Sequence, residues 1–152
     1  MGVDYWNEYL ATQGRPSVRI ETKKSYQYGL FVADLAHMPA SVCGTWPAFW
    51  TVNHVNYPSN GEIDILENIS ENTQSLQTLH TTAGCSVVGN NLGQQQNGTQ
   101  NSYNCDNQAT ISNFGTQSLD QGCSATNSDD HSYGSAFNAI SGGVCTLIHD
   151  AK

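Results

Sequence analysis

Seven consecutive residues, Gly61-Glu62-Ile63-Asp64-Ile65-Leu66-Glu67, constrain this chain more than any other stretch. They hold three of its thirteen acidic side chains, interleaved with Ile and Leu. β-Branched residues alternating with polar ones read as a half-buried strand. Side chains alternate faces along a strand, so Glu62 and Asp64 share one face while Ile63 and Ile65 share the other. The two carboxylates then stand about 7 Å apart along the strand, from a rise of roughly 3.3 Å per residue. Like charges that close are costly unless one is protonated or both find partners. Strict alternation would also send Glu67 into the core and bring Leu66 out beside the acids. An unpaired buried carboxylate is too expensive to expect. One extra residue, a β-bulge near Ile65 and Leu66, returns Glu67 to the acidic face and Leu66 to the core side. The expected result is a ladder of three acids, Glu62, Asp64 and Glu67, on one face of a sheet.

Such a ladder suits retaining glycoside hydrolysis, which needs two carboxyl groups roughly 5–5.5 Å apart, one a nucleophile and the other an acid and then a base. A third acid between them can hold the proton balance. Taken alone, an acid-rich strand is more often a solvated edge strand or half of a calcium site. The flanking sequence tips the reading. Cys43-Gly44-Thr45-Trp46-Pro47-Ala48-Phe49-Trp50, then Pro58-Ser59-Asn60, then the ladder, resemble glycoside hydrolase family 16, in its fungal endo-1,3(4)-β-glucanase (laminarinase) branch. Gly14-Arg15-Pro16-Ser17-Val18-Arg19-Ile20, Gly29-Leu30-Phe31-Val32-Ala33-Asp34 and Leu79-His80-Thr81-Thr82-Ala83-Gly84-Cys85 fit the same family in the same order. So do Ser132-Tyr133-Gly134-Ser135-Ala136-Phe137-Asn138 and Gly142-Gly143-Val144.

The resemblance implies an all-β jelly-roll sandwich of the concanavalin-like kind, with the cleft on the concave face of one sheet. It implies Glu62 as nucleophile, Asp64 as assisting acid and Glu67 as general acid/base. It implies Trp46, Trp50, Tyr57, Asn60 and His80 as sugar-binding residues. Flat indole rings match the apolar faces of pyranoses, and Tyr57 stands where the family commonly carries a larger Trp. The implied substrate is a β-glucan, cleaved by a monomer that needs no cofactor or metal. A β-glucan-binding module without turnover, or an inactive fragment of a longer glucanase, are the competing readings. Residues 1–144 read as part of the catalytic domain. Residues 145–152 read as a separate tail, so the fold is expected to be incomplete in its C-terminal half.

Composition bears on location and partners. The net charge of −8 argues against nucleic acid or an anionic membrane, whereas a neutral polysaccharide is indifferent to it. Only 12% of residues are charged, against about 25% in typical globular chains. The turn-forming polar residues that replace them suit a secreted β protein. Five cysteines, Cys43, Cys85, Cys105, Cys123 and Cys145, include no CxxC pair. They favour disulfides in an oxidising compartment, at most two bridges and one leftover thiol, with the pairing open. An extracellular location is expected, although the first ten residues carry no apolar export segment. Met1 is read as an internal methionine of a longer precursor. Asn68 and Asn97 begin N-glycosylation sequons.

Several local expectations follow from pattern. Residues 15–22 and 28–35 read as strands, the second buried on both faces. Residues 45–52 read as a strand in which Pro47, which cannot donate to a ladder, marks a sheet edge or a bulge. Residues 53–61 read as a turn-rich loop and 75–82 as a strand. Residues 86–131 are almost wholly polar and read as one long loop pinned by Cys105 and Cys123. Asp129-Asp130-His131 reads as a solvated turn rather than a metal site.

Overall fold

The computed structural model describes residues 4–87, 98–112 and 115–150. Among the described residues, nine strands and one helix follow in order: β1 Gly29–Leu35, β2 Ala48–Val52, β3 Glu62–Glu67, β4 Leu76–His80, β5 Thr99–Gln100, β6 Ile111–Ser112, β7 Gly115–Thr116, β8 Cys123–Thr126, α1 Gly134–Ala139 and β9 Gly143–His149. They form an antiparallel five-stranded sheet in the order β2-β3-β4-β8-β5, a two-stranded sheet β1-β9, and a small β6-β7 hairpin. β9 lies across β3, so the two larger sheets stack as layers of a sandwich.

The core follows from the inward faces of these strands. Met38, Leu66, Tyr133 and Phe137 are buried together, with Leu35, Phe49 and Cys145 packed against them. The fully buried Met38, Leu66 and Phe137 contribute about 1.5–3 kcal/mol each. Two polar clamps fasten α1 to this core. The Asn138 amide donates to the Met38 carbonyl at 2.8 Å, and the Met38 N–H donates to Asn138 Oδ1 at 2.9 Å. The buried Tyr133 hydroxyl lies 2.7 Å from the Pro47 carbonyl and also against the Asn68 carbonyl. Those carbonyls flank β2 at its start and β3 at its end. Tyr133 therefore braces from behind the two strands that carry the acidic face.

Several pattern-based expectations are corrected. Residues 15–22 join no sheet: Val18 and Ile20 stay exposed, and alternation without a neighbouring ladder yields only extended chain. β1 is not buried on both faces, because its one partner is β9 and Leu30 and Val32 face outward. The polar region is not one long loop, since β8 lies inside the main sheet between β4 and β5. Its Cys-Ser-Ala-Thr sequence has no apolar alternation, yet Cys123, Ser124 and Ala125 are all buried by neighbouring strands. The region is pinned as expected, by a Cys105–Cys123 disulfide, while Cys43, Cys85 and Cys145 are free thiols. Residues 132–138 include a helix that the sequence reading did not anticipate. Residues 143–149, most of them set apart in sequence as a tail, form β9, with Cys145 packed on the core. Asp129 caps a turn, accepting from the His131 N–H at 2.8 Å.

Candidate active site

β3 carries the predicted kink. On one side Phe49 pairs with Leu66 and Trp50 with Asp64, which leaves Ile65 unpaired. On the other side Asp64 pairs with Thr78 and Glu67 with Leu76, so Ile65 and Leu66 together oppose one residue of β4. Residues directly opposite in an antiparallel pair share a face. Glu62 pairs with His80, Asp64 with Thr78 and Glu67 with Leu76, and these β4 residues are spaced by two. All three acids therefore lie on the same face, and Ile63, Ile65 and Leu66 go inward. Trp50 and Ala48 of β2 lie on the acidic face as well, opposite Asp64 and Glu67. The Pro47 inference also stands, because β2 is an edge strand and Pro47 lies just outside it. Gly61 supplies the entry turn at φ +76°, its N–H donating to the Pro58 carbonyl at 2.9 Å.

The acids differ in environment. Asp64 is 2% exposed. His80 Nε2 lies 3.2 Å from its Oδ2, but the ring is not aimed for a straight bond and that oxygen has no directional donor. Glu62 is pushed up to about 7, chiefly by burial and then by the adjacent Asp64, with which it shares a hydrogen bond. Glu67 is also raised, first by burial and then by Asp64, while a hydrogen bond from Trp46 and the nearby His80 pull it back. That bond runs from Trp46 Nε1 to Glu67 Oε1 at 2.7 Å. Burial opposes the charged form of His80, but contacts with Asp64 and Asn107 and the negative field of Asp64 and Glu62 outweigh it and raise the ring's proton affinity.

The remaining predicted binding residues are placed as follows. Trp46 is 68% exposed beside Glu67, an open ring at the rim of the acidic face. Trp50 is half-buried, with the Arg19 guanidinium 4.3 Å from its ring centre and His54 edge-on at 6.4 Å. Arg19 is held in turn by Glu21 at 2.8 Å. Tyr57 precedes a cis peptide to Pro58, and its hydroxyl accepts from Asn107 Nδ2 at 2.7 Å. Asn60 spends its amide on the Val55 carbonyl, closing its own loop. Sequence reasoning missed Asn107, Arg19 and His54 as neighbours of the site. The Asn68 side chain is buried and donates to the Gln74 carbonyl at 2.7 Å, so a glycan there would require it to unpack. Asn97 lies outside the described residues.

Among the described residues one group has metal-ligand character: Glu62, Asp64 and His80, whose ligating atoms lie within 4.8 Å of one another. Calcium takes about six to eight oxygens and His offers none, so these three side chains do not by themselves make a calcium site.

A family model described as "XgeA-like, catalytic GH16 domain" matches residues 1–152. The chain belongs to glycoside hydrolase family 16. A probable endo-1,3(4)-beta-glucanase of Aspergillus clavatus is 43% identical over 97% of the chain, and an endo-1,3(4)-beta-glucanase of Arthroderma benhamiae is 42% identical over 95%. The chain spans 21% and 30% of the lengths of those two relatives. Two solved family 16 structures superpose closely. Laminarinase 16A from Phanerochaete chrysosporium, seen with 6-O-glucosyl-laminaritriose in donor and acceptor sites, has a TM-score of 0.79 at 33% identity, over 92% of this chain and 43% of that one. An elongating family 16 β-1,3-glucosyltransferase has a TM-score of 0.76 at 38% identity, over 97% of this chain and 46% of that one. The fold is thus the family's β-jelly roll, and the five-stranded sheet carries the acidic face.

Proposed function

We propose that the acidic face hydrolyses internal β-1,3 bonds, and mixed β-1,3/1,4 bonds, of β-glucans with retention of configuration. The bulge in β3 carries the proposal, because it puts Glu62 and Glu67 on one face with Asp64 between them. Glu67 is the general acid/base: burial keeps its proton on, and the Trp46 N–H accommodates the carboxylate once the proton has gone to the leaving oxygen. Glu62 is the nucleophile and must be ionised to attack the anomeric carbon. Its raised proton affinity belongs to the Glu62–Asp64 pair rather than to Glu62 alone, since strongly interacting groups titrate together. Asp64 takes the shared proton when Glu62 attacks.

Trp46, Trp50 and Tyr57 stack the sugar rings and Asn60 bonds their hydroxyls, whereas both ring nitrogens of His80, expected from sequence to bind sugar, are turned to Asn107 and Asp64. Trp46, beside the acid, serves the leaving-group side. A retaining intermediate can be released by a sugar hydroxyl in place of water, so chain transfer accompanies hydrolysis at high glucan concentration. The similarity to the elongating transferase and the open Trp46 ring favour that second outcome. We place the protein outside the cell on the strength of its disulfide, and read it as a monomer. No helix of the described residues is long and apolar enough to cross a membrane.

Incubation with laminarin oligosaccharides, followed by proton NMR of the released anomer, tests the reading. The β-anomer should form first, and Glu62→Gln should abolish release. Initial formation of the α-anomer, full activity in Glu62→Gln, or laminarin binding without any turnover would overturn it.

A further inference from the structure

Behind the acids lies a polar group that the proposed chemistry leaves unused. Asn107 is 1% exposed, and its backbone is held on both sides. Its N–H donates to the Thr81 carbonyl at 3.0 Å, and its own carbonyl accepts from the Asp120 N–H at 2.8 Å. Its side chain spans two aromatic rings. Nδ2 donates to the Tyr57 hydroxyl at 2.7 Å, and Oδ1 lies 2.7 Å from His80 Nδ1. A carboxamide oxygen only accepts, so Nδ1 must carry a hydrogen. Gly122 forms a floor under the ring: a Cβ there would stand 2.8 Å from Nδ1 and 2.4 Å from the Leu79 carbonyl oxygen. The imidazole therefore presents its other nitrogen, Nε2, to Asp64 Oδ2 at 3.2 Å.

That arrangement has an electrostatic consequence. A neutral ring protonated on Nδ1 leaves Nε2 bare 3.2 Å from Asp64 Oδ2, so two electron-rich atoms stand close together even though the ring is not aimed straight at that oxygen. Both are buried, where such repulsion is poorly screened. One proton between them removes it. We propose that Asn107 is a positioning residue that holds His80 in the Nδ1–H state and thereby obliges Nε2 and Asp64 Oδ2 to keep one proton between them. The groups facing His80 are Glu62 and Asp64 from β3, with Glu67 further along the ladder, Asn107 from the loop after Cys105, and Tyr57 reached through Asn107. Its immediate neighbours of charge are thus acidic, which favours retaining that proton. For catalysis, the proton leaves a Glu62 oxygen for the Asp64–His80 pair, no bond to sugar is involved, and Glu62 becomes the free carboxylate. Only this kinetic consequence rests on the function proposed above; the protonation state does not.

The test is nitrogen NMR of the full chain labelled with 15N-histidine, with His80 assigned by the signal lost in His80→Gln. At alkaline pH the wild type should show Nδ1 protonated and Nε2 bare. In Asn107→Leu that preference should vanish and the His80 titration midpoint should fall. Asn107→Asp, which keeps an acceptor at Nδ1, should restore it. In kinetics Asn107→Leu should lower kcat about tenfold with little change in KM, as expected for lost orientation. It should also move the acid limb of kcat/KM to higher pH, because Glu62 loses its positively charged neighbour. A wild-type His80 bearing its neutral-state proton on Nε2 overturns the proposal without recourse to any variant. So does an Asn107→Leu protein whose His80 signals are unchanged. The expected NMR pattern in a chain without glucanase activity would sustain this inference while sinking the proposed hydrolysis.

Discussion

Replacing Glu62 by Gln should stabilise the protein, and only above neutral pH. Glu62 moves from an ordinary 4.5 up to about 7 on folding. At about 1.4 kcal/mol per pH unit, that displacement corresponds to about 3 kcal/mol. The open side of the face screens the charge, so we take about 2 kcal/mol as the working figure. The group is raised, so its stabilising effect is complete below pH 4.5 and disappears as pH climbs through 7. Above that, the folded chain carries an ionised Glu62 beside Asp64 in a partly desolvated site. Gln has the shape of the protonated acid and cannot ionise. For a chain of 152 residues, about 2 kcal/mol converts to roughly 4–8 °C in Tm. Thermal melts by circular dichroism at pH 4.5 and pH 8 on both proteins decide the matter. The two should melt together at pH 4.5, with Glu62→Gln melting higher at pH 8. Equal offsets at both pH values, or a less stable Glu62→Gln at pH 8, would refute the idea that like-charge crowding strains this face.

Three further outcomes follow from the same geometry. Glu67→Gln should lower kcat/KM on laminarin by about 10²–10⁴ while sparing kcat/KM on aryl glucosides, whose leaving groups depart without an acid, although kcat falls on both because the base for the second step is gone; equal losses of kcat/KM on both substrates would count against Glu67 as the acid. Trp46→Phe removes the N–H that holds Glu67 ionised, so the alkaline limb of the pH–rate profile should move to higher pH, and a downward move would contradict the assignment. Converting Cys105 and Cys123 together to Ala opens a bridge of sequence separation 18. The expected loss is about 3 kcal/mol of unfolding free energy, measured by urea denaturation.

The kink in β3 was legible because a strong local penalty enforces it. Regular alternation would have buried Glu67, and the sequence offers nothing nearby to neutralise it, so the strand had to gain a residue. The edge position of β2 was legible only in part, since Pro47 lacks a donor and so marks either an edge or a bulge, and the sheet order selects the edge. What stayed hidden is set by partners far along the chain. Residues 15–22 alternate as well as β4 does, yet β4 lies between β3 and β8 while residues 15–22 meet no strand. β8 has no apolar rhythm, yet Cys123, Ser124 and Ala125 are all buried once it is set between β4 and β5. Asn107 illustrates the same limit at the site. It belongs to a stretch where polar residues are the rule, and nothing in its neighbours marks it. It gains meaning only when the disulfide from Cys105 to Cys123 and the β4–β8 ladder set that stretch beside His80. Local electrostatics can reveal which carboxylates must share a face, because the cost of misplacing one falls within a few positions. The contacts behind that face, such as those of Asn107 to His80 and Tyr57, run through one or two directional bonds, and those depend on strand pairing across tens of residues.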